Sequence, residues 1–186
     1  MAAPTSAKFN QTPLEGINFT TVYTAYDQTV AVSATNDPSN PGPPFTVGTH
    51  ALGSDGSEYI FVKATTAIEQ YSAVAISTVD AVVPLTLLLV QALSDYGFAQ
   101  VAIASGSYGW VAIRGQGIGV LARLSSLAGK PVYISSVSAG RVTTTSVRNT
   151  SGGTLLNVVL NTSVTATPSG ATVANAPWPG TSRVNG

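Results

Sequence analysis

The chain contains no cysteine and a single histidine, His50. Without cysteine there is no disulfide framework, no thiolate metal site and no cysteine nucleophile. With one imidazole, a Ser-His-Asp triad or a His-based metal centre would have to be built on His50. That residue lies in Gly48-Thr49-His50-Ala51, just ahead of a strand pattern, and reads as a surface or hydrogen-bonded histidine. Charge is scarce as well: Asp, Glu, Lys and Arg make up 9% of the 186 residues, and the formal net charge is zero. An average domain carries about 25% charged residues. Lys8, Lys63, Arg114, Arg123, Lys130, Arg141, Arg148 and Arg183 are scattered. Binding nucleic acid by phosphate neutralisation needs clustered cations, so no nucleic-acid partner is expected. Net charge near zero instead favours association between protein surfaces. Long apolar runs are also missing. The most apolar stretch, Ala81 to Leu93, is interrupted by Pro84 and falls short of the roughly 20 residues that span a bilayer. The start, Met1-Ala2-Ala3-Pro4-Thr5-Ser6-Ala7-Lys8, has no apolar h-region, so no signal peptide and a soluble protein without a membrane partner are expected.

What is present is Ser, Thr, Gly, Pro and short apolar alternations. A chain of this length buries a core without cross-links. Residues 1–46 read as an extended N-terminal arm, because Pro4, Pro13, Pro38, Pro41, Pro43 and Pro44 exclude regular helix or sheet over much of it. Within it, Phe19 to Ser33 alternates well enough for one strand or hairpin. Phe9, Leu14, Ile17, Phe19, Val22, Tyr23 and Tyr26 make the arm too apolar for a freely solvated linker. It is expected to reach a neighbouring subunit or another protein, the other option being to fold back and cap its own barrel.

Residues 47–163 read as a β-rich core. Glu58–Ala64 alternates, with Tyr59, Phe61 and Lys63 on one face and Ile60 and Val62 on the other. Ser72–Ser77, Phe98–Ala104, Trp110–Arg114, Gly119–Ala122, Pro131–Ser135, Arg141–Thr145 and Leu155–Leu160 are further strands. Ala81–Ala92 fits either a strand pair bent at Pro84 or a short buried helix. Leu121–Leu127 is a candidate single helical turn. Short strands separated by Gly-containing turns predict an all-β fold, a compact antiparallel barrel or sandwich. Gly109, Gly115, Gly129 and Gly140 are expected at positive φ or at close backbone approaches. Residues 164–186, again rich in Thr, Ser, Pro and Gly, read as a C-terminal tail.

The chemical inventory is thin. Glu15, Asp27, Asp37, Asp55, Glu58, Glu69, Asp80 and Asp95 include no close pair of the glycosidase kind. Asp55-Gly56 between Ser54 and Ser57 is a turn signature rather than a calcium loop. In Gly115-Gln116-Gly117-Ile118-Gly119 the third glycine is at the wrong offset for a dinucleotide loop, and a kinked connection or bulge is expected. Ser107-Tyr108-Gly109-Trp110 places aromatics at a turn, suited to core-edge packing, a subunit contact or a sugar. Asn10, Asn18, Asn149 and Asn161 begin N-glycosylation patterns that chance explains in a Ser/Thr-rich chain. No catalytic, cofactor-binding or metal-ligating residue is assigned, no cofactor is expected, and the chain is read as not an enzyme.

Three stretches carry a family likeness. They are Pro44-Phe45-Thr46-Val47-Gly48-Thr49 with Gly53 to Ala64, then Gly106 to Gly115, then Ala128 to Ser135 with Ala139-Gly140-Arg141-Val142. Together with Ser169 to Ala176 and Arg183-Val184-Asn185, this order resembles the capsid cement, or head decoration, proteins of tailed bacteriophages. The resemblance implies a virion protein made in the host bacterial cytoplasm. It would bind the major capsid protein on the capsid exterior, stabilise the lattice against internal DNA pressure, and assemble as a homotrimer. The alternative is a phage fibre, spike or adhesin module that binds host glycans through Tyr108 and Trp110. A β-sandwich hydrolase is a third reading, left weak by the lone His50.

Overall fold

The computed structural model describes residues 17–24, 43, 45–91, 95–144, 155–161, 163–164 and 171–176. Among the described residues, ten strands and one short helix follow in order: β1 (His50–Leu52), β2 (Glu58–Ala64), β3 (Ala73–Ile76), β4 (Ala81–Pro84), α1 (Leu87–Gln91), β5 (Asp95–Ala99), β6 (Tyr108–Leu121), β7 (Pro131–Ile134), β8 (Val142–Thr143), β9 (Leu155–Leu160) and β10 (Ala171–Ala176). The fold is all-β, as the alternation predicts. The pairings are antiparallel except β2 with β4, which run parallel.

The strands close into a ring. β2 pairs with β4, β4 with β3, β3 with β5, β5 with the first half of β6, and β6 returns to β2. The second half of β6 starts a further sheet, in the order β6-β10-β9-β7-β8. A bridge between Ala122 and Val142 brings β8 back to the end of β6. One long strand thus threads two rings.

The first ring owes its interior to side chains of period two. Ile60 and Val62 from β2, Val74 and Ile76 from β3, Val82 from β4, Ala99 from β5 and Val111 from β6 form one buried cluster with Ile68 and Ile103. Every strand of the ring contributes, so this is its inward face. The opposite faces of β3, β5 and β6 carry Ala73, Ala75, Phe98 and Ala112. These join a second buried cluster with Ile118, Val120, Val132, Ile134, Val142, Val158 and Leu160 from the further sheet. Both faces of those strands are therefore dry.

Local chemistry sets the turns. Ser77 Oγ accepts from Val79 N at 3.4 Å and Ala81 N at 3.2 Å, and Asp80 takes φ +54°, closing the β3–β4 hairpin. Pro84 ends β4, since it brings no N–H to the ladder. Thr86 Oγ1 then accepts from Leu89 N at 3.4 Å as the cap of α1. Ala81 to Ala92, expected as either a strand pair or a helix, is a strand followed by a five-residue helix.

Several expectations are corrected. Trp110–Arg114 and Gly119–Leu121 belong to one 14-residue strand, not two, and Ala122 follows as an isolated bridge. The ladder absorbs the glycines as irregularities: its register shifts opposite Glu58/Tyr59 on β2 and opposite Ala174/Ala176 on β10. Leu121–Leu127 holds no helical turn. Ser125 has φ +66°, which a right-handed helix forbids. Ala171–Ala176, inside the span expected as a tail, is β10 and pairs with both β6 and β9. Val164 is buried and bridged to Ser126. In the arm, Ile17 to Thr24 folds back on the chain's own core. The arm's remaining stretches 1–16 and 25–42, and the tail stretch 177–186, lie outside the described residues.

The second half of β6 has β10 on one side, and its other backbone groups need partners. The amide of Gln100 supplies them. Its Oε1 accepts from Gly119 N at 2.9 Å and its Nε2 donates to Gly119 O at 3.2 Å. Two residues on, Leu121 N donates to the carbonyl of Tyr71 at 2.7 Å, a residue held at φ +63°. A side-chain amide stands in for a strand beside the second half of β6.

Candidate interaction surface

The alternation of β2 puts Tyr59 and Phe61 on the outside of the first ring, and β6 sets Tyr108 and Trp110 beside them. Phe61 and Trp110 are nevertheless fully buried. The cover is the segment Ile17–Thr24 together with Phe45. Phe19 stacks on Tyr59 with ring centroids 4.1 Å apart and meets Trp110 edge-on at 5.4 Å. Phe45 packs against Trp110 at 5.0 Å and Phe61 at 5.3 Å. Tyr23 meets Phe61 at 5.9 Å. Tyr23 also exchanges two main-chain bonds with Tyr108, N to O at 2.8 Å and O to N at 2.7 Å. The segment is thus a strap, pinned to the start of β6 as a one-residue strand and clamped by aromatic edges and faces. Each ring removed from water contributes roughly 1.5–3 kcal/mol when fully covered.

Trp110 is therefore no exposed stacking platform, which corrects its expected role in a glycan site. Its Nε1 is buried and has no hydrogen-bond partner among the described residues. Tyr108 is half-buried and carries Lys63 Nζ 5.5 Å above its ring.

A polar group lies on the neighbouring turn. His50 Nδ1 is 2.8 Å from Glu58 Oε1, and Arg114 Nε is 3.4 Å from Glu58 Oε2. The trio ties β1, β2 and β6 together at the surface, so His50 is the hydrogen-bonded surface histidine its sequence context suggests. In the β1–β2 loop Asp55 accepts from Ser57 N and Ser57 Oγ, each at 2.9 Å, and Gly56 takes φ +78°. This is the turn expected from Asp55-Gly56. Those two bonds from Ser57 hold the Asp55 carboxyl below its ordinary value. Burial, and then the negative charge of Asp55, push the Tyr59 phenol above its ordinary value.

The other candidates are structural. Arg141 Nη2 reaches Glu69 Oε2 at 3.3 Å, pairing a strand-turn-strand loop with the segment before β3. Asn18 Oδ1 accepts from Thr20 N at 2.9 Å and Thr20 Oγ1 at 2.7 Å, a local turn that opens the strap. Glu15, Asp27, Asp37, Asn10 and Asn149 lie outside the described residues. Among the described residues, no three of His, Cys, Asp and Glu gather where they could hold a metal ion, and no helix is long and apolar enough to cross a membrane.

Exposed aliphatic side chains sit on loops and edges: Leu52, Val79, Leu88 and Val137, each at least 70% exposed, with Leu124, Leu127 and Val159 nearer half. Gly129 N donates to Leu160 O at 3.0 Å, and Ser125 N to Val164 O at 2.9 Å, so the loop bearing Leu124 and Leu127 runs along the chain next to Val159. Nothing in the sequence pattern marks Gln100 or Tyr71 as partners of the second half of β6. The strap's aromatics were visible in it only as an arm too apolar to be solvated. No protein-family model, curated protein or solved structure matches this chain.

Proposed function

We propose that this chain is a structural protein of a tailed-phage virion, binding the outer surface of the assembled capsid and stabilising its lattice as a homotrimer. The observation that carries the reading is the character of the surface. Aliphatic side chains stand out on loops, on β1 and β9 and on α1 of a ringed β-body, while charge amounts to 9% of the chain and cancels to zero. Such a surface has little to keep it apart from a protein neighbour and much to gain by being covered. The strand-and-turn order that resembles cement proteins supports the same reading.

A fibre or adhesin module remains the rival, but with the Trp110 indole sealed under Phe19 and Phe45 it lacks the larger of its two stacking surfaces. Copy number separates the two. A stained gel of purified particles should show this chain in hundreds of copies, scaling with the major capsid protein. A count in the tens or below, or protein that never co-purifies with capsids, overturns the proposal.

A further inference from the structure

We infer that the outer edge of β1 pairs antiparallel with β1 of a second copy of this chain, about a two-fold axis at Ala51. Three observations carry this.

The first is that the edge is open. β1 and β8 end the strand order. β8 is bridged through Val142 to Ala122, whereas β1 has β2 on one side and, among the described residues, no strand on the other. The ladder fixes which groups face outward. Phe61 N donates to Thr49 O at 2.9 Å and Gly53 N to Ser57 O at 2.7 Å, and Ala51 lies opposite Tyr59 between those two pairs. Inward bonding falls on alternate residues of an antiparallel pair. Thr49, Ala51 and Gly53 therefore bond to β2, and the N–H and C=O of His50 and Leu52 point away from it. Leu52 is 70% exposed and the His50 side chain 53%. A row of outward main-chain groups is a template for another strand.

The second is that the edge complements itself. When two copies of β1 meet antiparallel about Ala51, His50 faces the second copy's Leu52 and Leu52 faces its His50. Each such pair exchanges two main-chain bonds, about four in all, so every outward group of β1 finds a partner. An identical strand always has the right spacing, because the same two residues supply both halves. Leu52 then lies beside an imidazole instead of water.

The third is that nothing on the edge repels a second strand. Edges are commonly blocked by Lys, other charges or Pro. Residues 46–54 contain no Asp, Glu, Lys, Arg or Pro. The nearby Glu58 is already held by His50 at 2.8 Å and Arg114 at 3.4 Å. The formal net charge of zero sets up no long-range repulsion between copies. Shortness is the edge's one defence: three residues bury far less than the roughly 1,200 Å² of a stable interface. The pairing is therefore weak and depends on concentration.

It rests on neither the capsid nor the trimer reading, since a two-fold contact joins in pairs whatever unit the chain forms. Failure to bind capsids leaves pairing in solution intact. The absence of cysteine gives a clean test. In the pairing Ala51 meets its own copy at a non-hydrogen-bonded position, where Cα atoms lie about 4.5 Å apart, within the span a disulfide bridges. Full-length Ala51→Cys is oxidised over a range of concentrations. The expected result is a disulfide-linked dimer several-fold more abundant than from Val137→Cys, which is 73% exposed on the β7–β8 loop. Adding Leu52→Pro removes an outward N–H, leaves the inward bonds of Ala51 and Gly53 in place, and suits an edge strand; it should return the dimer to the Val137→Cys level. A dimer no more abundant than that control, or one that Leu52→Pro does not reduce, overturns the inference. Should Ala51→Cys fail to fold, light scattering at high concentration decides. The unsubstituted chain should show up to twice the mass of Leu52→Pro, and of Leu52→Lys, which keeps the N–H but sets a cation against the second copy's His50. Equal masses for all three overturn it.

Discussion

Gly115 sits inside β6 at φ +141°, in a region that side-chain-bearing residues rarely enter. Ser57, fully buried at the start of β2, crosses directly over it. A methyl group added at Gly115 would lie 2.7 Å from the Ser57 Cα and 2.5 Å from its Cβ. The obstacle is backbone, so no rotamer change relieves it, and the β1–β2 corner must move. Gly117, two residues on, has φ +74° with nothing within 4 Å of an added Cβ. The pair therefore separates conformational strain from collision. For Gly117→Ala, backbone strain of about 1–2 kcal/mol, partly offset by a less flexible unfolded chain, leaves about 1 kcal/mol. For Gly115→Ala the strain is about 1–3 kcal/mol and the forced repacking adds about 1–3 kcal/mol, a loss near 3–4 kcal/mol in all.

Urea titration followed by far-ultraviolet circular dichroism measures both. In a chain of this size, each kcal/mol moves the melting temperature by about 2–4 °C. Gly115→Ala should thus melt about 6–16 °C below the parent, and Gly117→Ala about 2–4 °C below. A Gly115→Ala protein no less stable than Gly117→Ala would refute the reasoning, because it would mean that Ser57 yields without resistance. The displacement has a second signature. Ser57 Oγ donates to Asp55 Oδ2, so pushing Ser57 aside also loosens the Asp55 turn.

That turn gives an acid-side prediction. The Asp55 pKa is lowered in the fold from its ordinary 3.8, so its contribution is fully present above that value and is lost as pH falls through the depressed folded value. Asp55→Asn should flatten the fall in stability between about pH 5 and pH 2; an unchanged acid limb would count against the two Ser57 bonds. On the alkaline side, Tyr59 is raised above 10.0, so its share of stability is present below 10.0 and lost as pH rises through the higher folded value. Phe19→Ala uncovers the ring and should move the phenolate absorbance titration down towards 10.0; a titration that stays put would mean that Phe19 does not shield it. Gln100→Ala leaves both backbone groups of the buried Gly119 without their amide partner, and should cost about 2–4 kcal/mol in a denaturant titration, whereas a loss under about 0.5 kcal/mol would show that another group replaces it.

Much of the strand content was legible because burial on alternate residues leaves a period of two. Glu58–Ala64 and Leu155–Leu160 are strands with the bounds their alternation suggests. β6 was misread as two strands, and the reason is physical. Glycine is the ordinary sign of a turn, but in β6 the glycines serve close approach and register shifts within a continuing ladder. Gly115 admits Ser57, and the ring of Tyr71 lies against Gly119. A bulge and a turn use the same residue for the same conformational freedom, so composition alone does not separate them. The Leu121–Leu127 misreading has a similar root: leucine spacing suggested a helical turn, and one left-handed residue, Ser125, prevents it.

The interaction surface was half legible, and the missing half concerns which molecule covers it. Both faces of β2 are apolar, Tyr59 and Phe61 on one side and Ile60 and Val62 on the other, so a single-layer reading of that strand leaves one face wet. The arm carries matching aromatics, Phe19 and Tyr23, which nothing in an extended arm would satisfy. These two deficits cancel when the strap lies on β2 and β6, as it does within this chain. The alternation states that a cover is required and the arm states that a cover is available. Neither says that they meet within one chain, which the stacking of Phe19 on Tyr59 and the Tyr23–Tyr108 bridge show.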